Sequence, residues 1–243
     1  MSELTQYSLI IATFCFAAFL QGLTGFGFGL AVMSLLPLVM PFQEAVVLAA
    51  VLGLSVNLFT FLSYRRDYDW RLGRSLILGA LVGAPCGVAI VQWVDDSLLI
   101  RALGLLICVF TLNDLILAKR GKTAIPESWG FPLGLLSGLF GAAFNIGGPP
   151  AVMYSYSRPW TKTQVVAVLQ VMFLVIGVVR VSLSFGAGLV KVEDMKLAVI
   201  TLLPMFIAIH TGRKLLDKVP QGRLRTVVFV VLFLIGANYL VFG

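Results

Sequence analysis

Charge is scarce in this chain. Only 12% of its 243 residues are charged, while 59% are hydrophobic. An ordinary soluble domain carries roughly 25% charged residues, so water is excluded as the solvent for most of this surface and a lipid bilayer takes its place. Histidine occurs once, at His210. The three cysteines, Cys15, Cys86 and Cys108, lie in apolar stretches with no CxxC spacing. They read as small buried hydrophobes, not as metal ligands or a disulfide framework. HExxH, GxSxG and phosphate-binding loops are all missing, which removes the usual signatures of metalloproteases, serine hydrolases and ATPases. No cofactor and no metal is implied. The opening residues MSELTQYSL lack the basic stretch of a signal peptide, so the first apolar segment is expected to be retained. A net charge of +7 does not indicate nucleic acid, because the basic residues fall between apolar segments and form no stripe. They read as topology signals facing anionic lipid.

What the chain does have is glycine, placed twice in the same way. GLTGFGFGLAVM runs from Gly22 to Met33, and GLFGAAFNIGGPPAVM from Gly138 to Met153. Gly22, Leu23, Gly25 and Phe28 match Gly138, Leu139, Gly141 and Phe144 at one offset. After an insertion, Ala31-Val32-Met33 matches Ala151-Val152-Met153. A helix-breaking segment repeated in two hydrophobic halves points to a transporter's substrate site.

Six segments read as membrane spans: about 43–63, 72–93, 98–118, 162–185, 195–213 and 224–242, each near the twenty residues a crossing helix needs. The glycine stretches lie in two further regions, about 5–40 and 129–157. The second is too short for two crossings, since 29 residues rise only about 43 Å and two passes need about 60 Å. A helical hairpin that dips in and returns fits; a tight helix pair would give the same parity. With three crossings per half, one side collects Arg65, Arg66, Arg71, Arg74, Lys119, Arg120, Lys122, Arg158, Lys162, Arg213, Lys214, Lys218, Arg223 and Arg225. The other side keeps only Arg101, Lys191 and Lys196. If each glycine region crossed once, that bias would vanish. Cytoplasmic loops are rich in Lys and Arg, so the biased arrangement is preferred.

The expected architecture is an all-α integral membrane protein of two inverted repeats. Each is a broken-helix or re-entrant hairpin plus three transmembrane helices. Residues 1–120 form the first repeat and 126–243 the second, joined by the polar stretch Ala118–Ser128 on the cytoplasmic side, with both termini outside.

Candidate site residues follow from that plan. Gly25, Gly27 and Gly29 free the first tip's backbone. Asn145, Gly147 and Gly148 do so for the second, with Pro149 and Pro150 enforcing the break. Broken helices present amide groups and a positive dipole end, which suits an anion; the competing use of such glycines is close helix packing. Arg180 sits within a span, where a charge costs about 2.5–3.5 kcal/mol on insertion scales. It either snorkels or faces the interior and pairs with a substrate anion. Asn57 occupies the matching place in the first half, and Gln21 and Thr24 flank the first tip. Asp114 and His210 are the candidates for proton coupling. Capping or pairing with Lys119 is the plainer role for Asp114, and a hydrogen-bonded core position the plainer one for His210.

The motifs GLTGFGFGLAVMSLLPLV and GLFGAAFNIGGPPAVMYSYSRPW resemble the sulfite exporter TauE/SafE permeases, also called the TSUP family, over essentially the whole chain. Phe28 stands where that family commonly has glycine, which narrows the pocket. The resemblance implies a secondary carrier in the bacterial plasma membrane. Its substrate would be a small sulfur-containing anion, sulfite or a sulfonate such as sulfoacetate, moved by alternating access with a coupling ion, proton or sodium. The alternatives are an anion channel, for which the spans hold few polar residues, and a carrier of a small non-sulfur carboxylate. An intramembrane enzyme lacks its motifs.

Overall fold

The structure is a computed structural model that describes residues 3–117, 125–188, 192–215 and 221–242. Among them the chain is helical throughout: α1 (Glu3–Thr24), α2 (Phe28–Leu35), α3 (Phe42–Tyr64), α4 (Trp70–Trp93), α5 (Asp96–Leu117), α6 (Gly130–Phe144), α7 (Gly148–Tyr156), α8 (Lys162–Gly186), α9 (Val192–Leu215) and α10 (Gln221–Phe242). Lys119, Arg120, Lys122, Lys191 and Lys218, used above in the charge reading, lie outside the described residues, as do the side chains of Arg223 and Arg225.

Local chemistry sets several boundaries. Asp69 accepts from the Arg71 amide at 2.9 Å to start α4, and Thr161 with Gln164 forms a capping box at α8. The six expected spans coincide with α3, α4, α5, α8, α9 and α10, within the few residues by which helix ends fray. One difference is instructive. α1 is also long and apolar enough to cross a membrane, as are α3, α4, α5, α8 and α9. At about 33 Å it is a full-length limb, because the first glycine region has more residues to spend before its break.

Both glycine regions close as hairpins. Gln6 near the start of α1 donates through Nε2 to the Val39 carbonyl, beyond α2, at 2.9 Å. Arg158 beyond α7 pairs with Glu127, just before α6, at 3.2 Å. Its Nη1 also donates to Ile125 O at 3.4 Å. Each pair therefore enters and leaves at one end, with its break at the far end. The limbs are unequal: one long helix, then a short one of eight or nine residues.

Packing exchanges the hairpins between the halves. α6 lies on α4, and α1 on α9; α3 packs on α8, and α5 on α10. The α4–α6 seam is the closest. A Cβ added at Gly79, Gly83 or Gly87 would lie 2.2, 2.1 or 2.3 Å from the carbonyls of Phe131, Leu135 and Leu139, and one at Gly134 or Gly138 would strike Leu76 or Ala80. Without a hydrophobic drive between helices in lipid, such backbone-to-backbone contact supplies the dispersion energy that holds them. One apolar core gathers α1, α2, α3, α5, α9 and α10, and a second gathers α4, α6, α7 and α8. Outward faces are apolar at helical spacing, as in Val199, Leu203 and Ile207 of α9. Trp70 and Trp93 stand exposed at the two ends of α4, where aromatic belts meet headgroups.

Candidate functional site

The first break is built by two left-handed glycines. Gly25 has φ +79° and Gly27 φ +98°, a region that a side chain disfavours. Thr24 fills the turn, its hydroxyl donating to Leu20 O at 2.9 Å and to Phe26 O. Gln21 then caps the second limb: its Oε1 accepts from the Phe28 amide at 3.1 Å. Its Nε2 donates to Asn57 Oδ1 at 3.1 Å and to Gln170 Oε1 at 3.4 Å. Gln170 in turn donates to Gly25 O at 2.9 Å. One buried amide chain thus ties this tip to α3 and α8.

The second break uses Asn145, at φ 59°. The amide of Asn145 bonds to Gly141 O at 3.0 Å and that of Ile146 reaches back to Phe140 O at 3.2 Å, which satisfies carbonyls that the end of α6 would leave open. Pro149 and Pro150 occupy the first turn of α7, where a missing N–H breaks no bond. They also leave fewer backbone amides free at this tip than a broken helix otherwise offers. Arg180 compensates with a side chain. Only 1% of it is exposed, and its Nη1 donates to Gly141 O at 3.1 Å and to Asn145 Oδ1 at 3.3 Å. Its Nη2 is buried without a partner, and so is Nδ2 of Asn145. Buried polar atoms are normally satisfied, so these two N–H donors, on side chains joined by a hydrogen bond, are exceptions in this tip.

The two tips touch. A Cβ at Gly29 would lie 1.7 Å from the Asn145 carbonyl, so only glycine permits the approach. Beside the contact opens a cavity of about 240 Å³. Gln21, Thr24, Gly27, Gly29, Asn57, Asn145, Gly147, Gly148 and Arg180 all line it. Gly25 does not; its part is the turn and the carbonyl that Gln170 holds. Phe28 lines the cavity, with its ring 3.5 Å from where a Gly53 Cβ would stand. Arg180 also borders a small crevice among α3, α4, α6 and α8, lined by Gln43, Gln92 and Ser184. His210 is exposed on α9 and away from the cavity. The Asp114 side chain lies outside the described residues, though Asn113 beside it lines the cavity. Sequence reasoning missed Gln170, a fully buried amide in an apolar helix. The cost of burying an uncharged polar side chain mid-span was the one available signal.

An all-helical fold with six helices able to cross a bilayer, and a cavity where two broken helices meet, defines a multi-pass membrane transporter. The chain belongs to the sulfite exporter TauE/SafE family, whose family model matches residues 10–239. The family is one of permeases, not of enzymes. No curated protein and no solved structure matches it.

Proposed function

We propose that the protein is a secondary carrier that moves small organosulfur or sulfur oxyanions, sulfite or a sulfonate such as sulfoacetate, across the bacterial plasma membrane by alternating access. The observation that carries this reading is the tip contact between Gly29 and Asn145, with the free donors of Arg180 and Asn145 beside the cavity. Opposed broken helices near the middle of a bundle are the recurring geometry of carrier sites. Gln21, Thr24, Gly27, Gly29, Asn57, Asn145, Gly147, Gly148 and Arg180 form the substrate site, and Gly25 shapes its first tip.

Two inverted repeats supply the moving parts. The exchange of hairpins between halves supports this, and so do Pro85 and Pro204, which interrupt the corresponding helices α4 and α9. The excess of Lys and Arg on one side in the sequence supports a topology with both termini in the periplasm. No ATP-binding loop is present in the sequence, so the energy for transport is assigned to a gradient, with protons or sodium as the candidate coupling ions, or to a partner.

The test is counterflow in proteoliposomes. Uptake of labelled sulfite or sulfonate should saturate and be accelerated by unlabelled substrate inside. Ohmic conductance without counterflow would replace the carrier by a pore.

A further inference from the structure

Resting on the carrier reading, we infer that the small crevice among α3, α4, α6 and α8 is the closed second half of the substrate's route. Gln43 and Gln92 stand at its mouth, and Ser184 and Arg180 in its depth.

Position points to it first. The cavity at the tips reaches toward one end of the bundle, where Asn113 near the end of α5, Tyr156 at the end of α7 and Phe229 near the start of α10 line it. Gln43 and Gln92 lie at the other end, in the first turn of α3 and the last turn of α4. Both are exposed, and Gln43 donates through Nε2 to Asp96 Oδ1 at 3.3 Å, at the start of α5. Ser184 is buried one turn, about 6 Å, after Arg180 on α8. Arg180 borders both spaces, and the two share no other lining residue.

Both spaces also lie on the same seam. In the crevice Val46 and Val91 belong to the first apolar core, Val88 and Ala142 to the second. Around the cavity Phe28, Leu30 and Ile146 belong to the first and Ile176 to the second. A rocking of one core against the other therefore acts on both spaces, and they can open in turn.

Size and charge complete the assignment. The crevice has about 10 Å³ against about 240 Å³ in the cavity, room for one water at most. Its valines form an apolar constriction of the kind that closes by dewetting. Among the described residues that line either space, Arg180 is the one charged side chain. An anion that moves from the cavity into an opened crevice keeps the same countercharge beside it. A path away from Arg180 would leave it unpaired and out of water, at high cost.

Crosslinking across the mouth tests the route. A background carrying Cys15→Ala, Cys86→Ala and Cys108→Ala receives Gln43→Cys with Gln92→Cys and is treated with a short bifunctional methanethiosulfonate in proteoliposomes. Sulfite counterflow should fall to the level of empty vesicles and return on reduction, while the reagent leaves the background protein unaffected. Sulfite should still raise the melting temperature of the crosslinked protein, because the cavity stays open at the other end. Ser184→Cys alone should react with a membrane-impermeant thiol reagent from the Gln92 side and lose counterflow. Leu183→Cys, its exposed neighbour, should keep it. Val88→Trp in the chain with its native cysteines fills the crevice; it should melt cooperatively and carry no sulfite. Counterflow that survives complete crosslinking, or folded Val88→Trp working at the wild-type rate, overturns the route and leaves the carrier reading standing. Ser184→Cys reacting only from the Arg158 side overturns it too. Absence of counterflow with both sulfite and sulfoacetate in the unaltered protein removes the carrier reading itself.

Discussion

The two hairpin tips share part of a glycine pattern, Gly22, Leu23, Gly25 and Phe28 against Gly138, Leu139, Gly141 and Phe144, yet they are held by different chemistry. The first is latched by neutral amides, Gln21, Asn57 and Gln170, and both left-handed residues of its break are glycine. The second is braced by a buried guanidinium and stiffened by two prolines, and it alone carries unpartnered donors. Their clamps differ as well. α6 meets α4 through five glycines spread along both helices, whereas α1 meets α9 through Gly22 and Gly212 alone. Two hairpins of similar backbone geometry can thus be secured by unlike side chains. Here the first tip spends its side-chain amides on itself and its neighbours, and the second keeps two donors unspent.

The largest effect expected from breaking this comparison is at the tighter clamp. Gly83→Leu would drive a side chain into the Leu135 carbonyl, 2.1 Å from the new Cβ. Glycines on both sides leave the helices no room to pivot. Overpacking of this kind costs about 1–3 kcal/mol or more, so little folded protein should survive size-exclusion chromatography in detergent. Gly212→Leu, at the sparser α1–α9 seam, should be recovered in better yield; equal loss at both would erase the distinction between the clamps.

Next comes the charge. Arg180→Gln should lower anion affinity by about ten- to a hundredfold, in line with the roughly 1.5–3 kcal/mol of a hydrogen bond to a charged group. Arg180→Lys should keep part of it, because the charge survives while the planar fork is lost. Asn57→Ala, at the matching place in the first half, should cost less. Binding titrations that rank Asn57→Ala above Arg180→Gln would reverse the roles of the tips.

A smaller change is expected at the latch. Gln170→Leu leaves the Gly25 carbonyl without its donor and removes one of the two acceptors of Gln21 Nε2, a loss of about 1–3 kcal/mol. The melting temperature should fall while the order of ligand affinities stays. Smallest of all is His210→Ala. An exposed side chain away from the cavity should move stability by no more than about 0.5 kcal/mol, and the pH profile of transport should be unchanged.

Much of this layout was legible in the chain itself. The repeated Gly22, Gly25 and Gly138, Gly141 marked both regions, and Gly25, Gly27 and Asn145 within them are residue types that tolerate left-handed backbone. Arg180 announced itself by the cost of a charge within a span. Gln170 did not, because an isolated amide among apolar residues has no repeat partner and carries no charge. Which tip would use up its own hydrogen bonds was equally hidden. That outcome depends on helices far apart in sequence, as when Gln170 reaches Gly25 across 145 positions. The full length of α1 was not separated from its hairpin, because the glycine break that divides residues 5–40 does not say how the remaining residues are shared between the limbs.

α8 holds both tips at once, Gln170 at one and Arg180 at the other, ten residues and about 15 Å apart along a single rod. A rod does not stretch. If α8 slides along its axis, both attachments travel the same distance in the same direction, so tension released at one end is felt at the other without any signal through the intervening side chains.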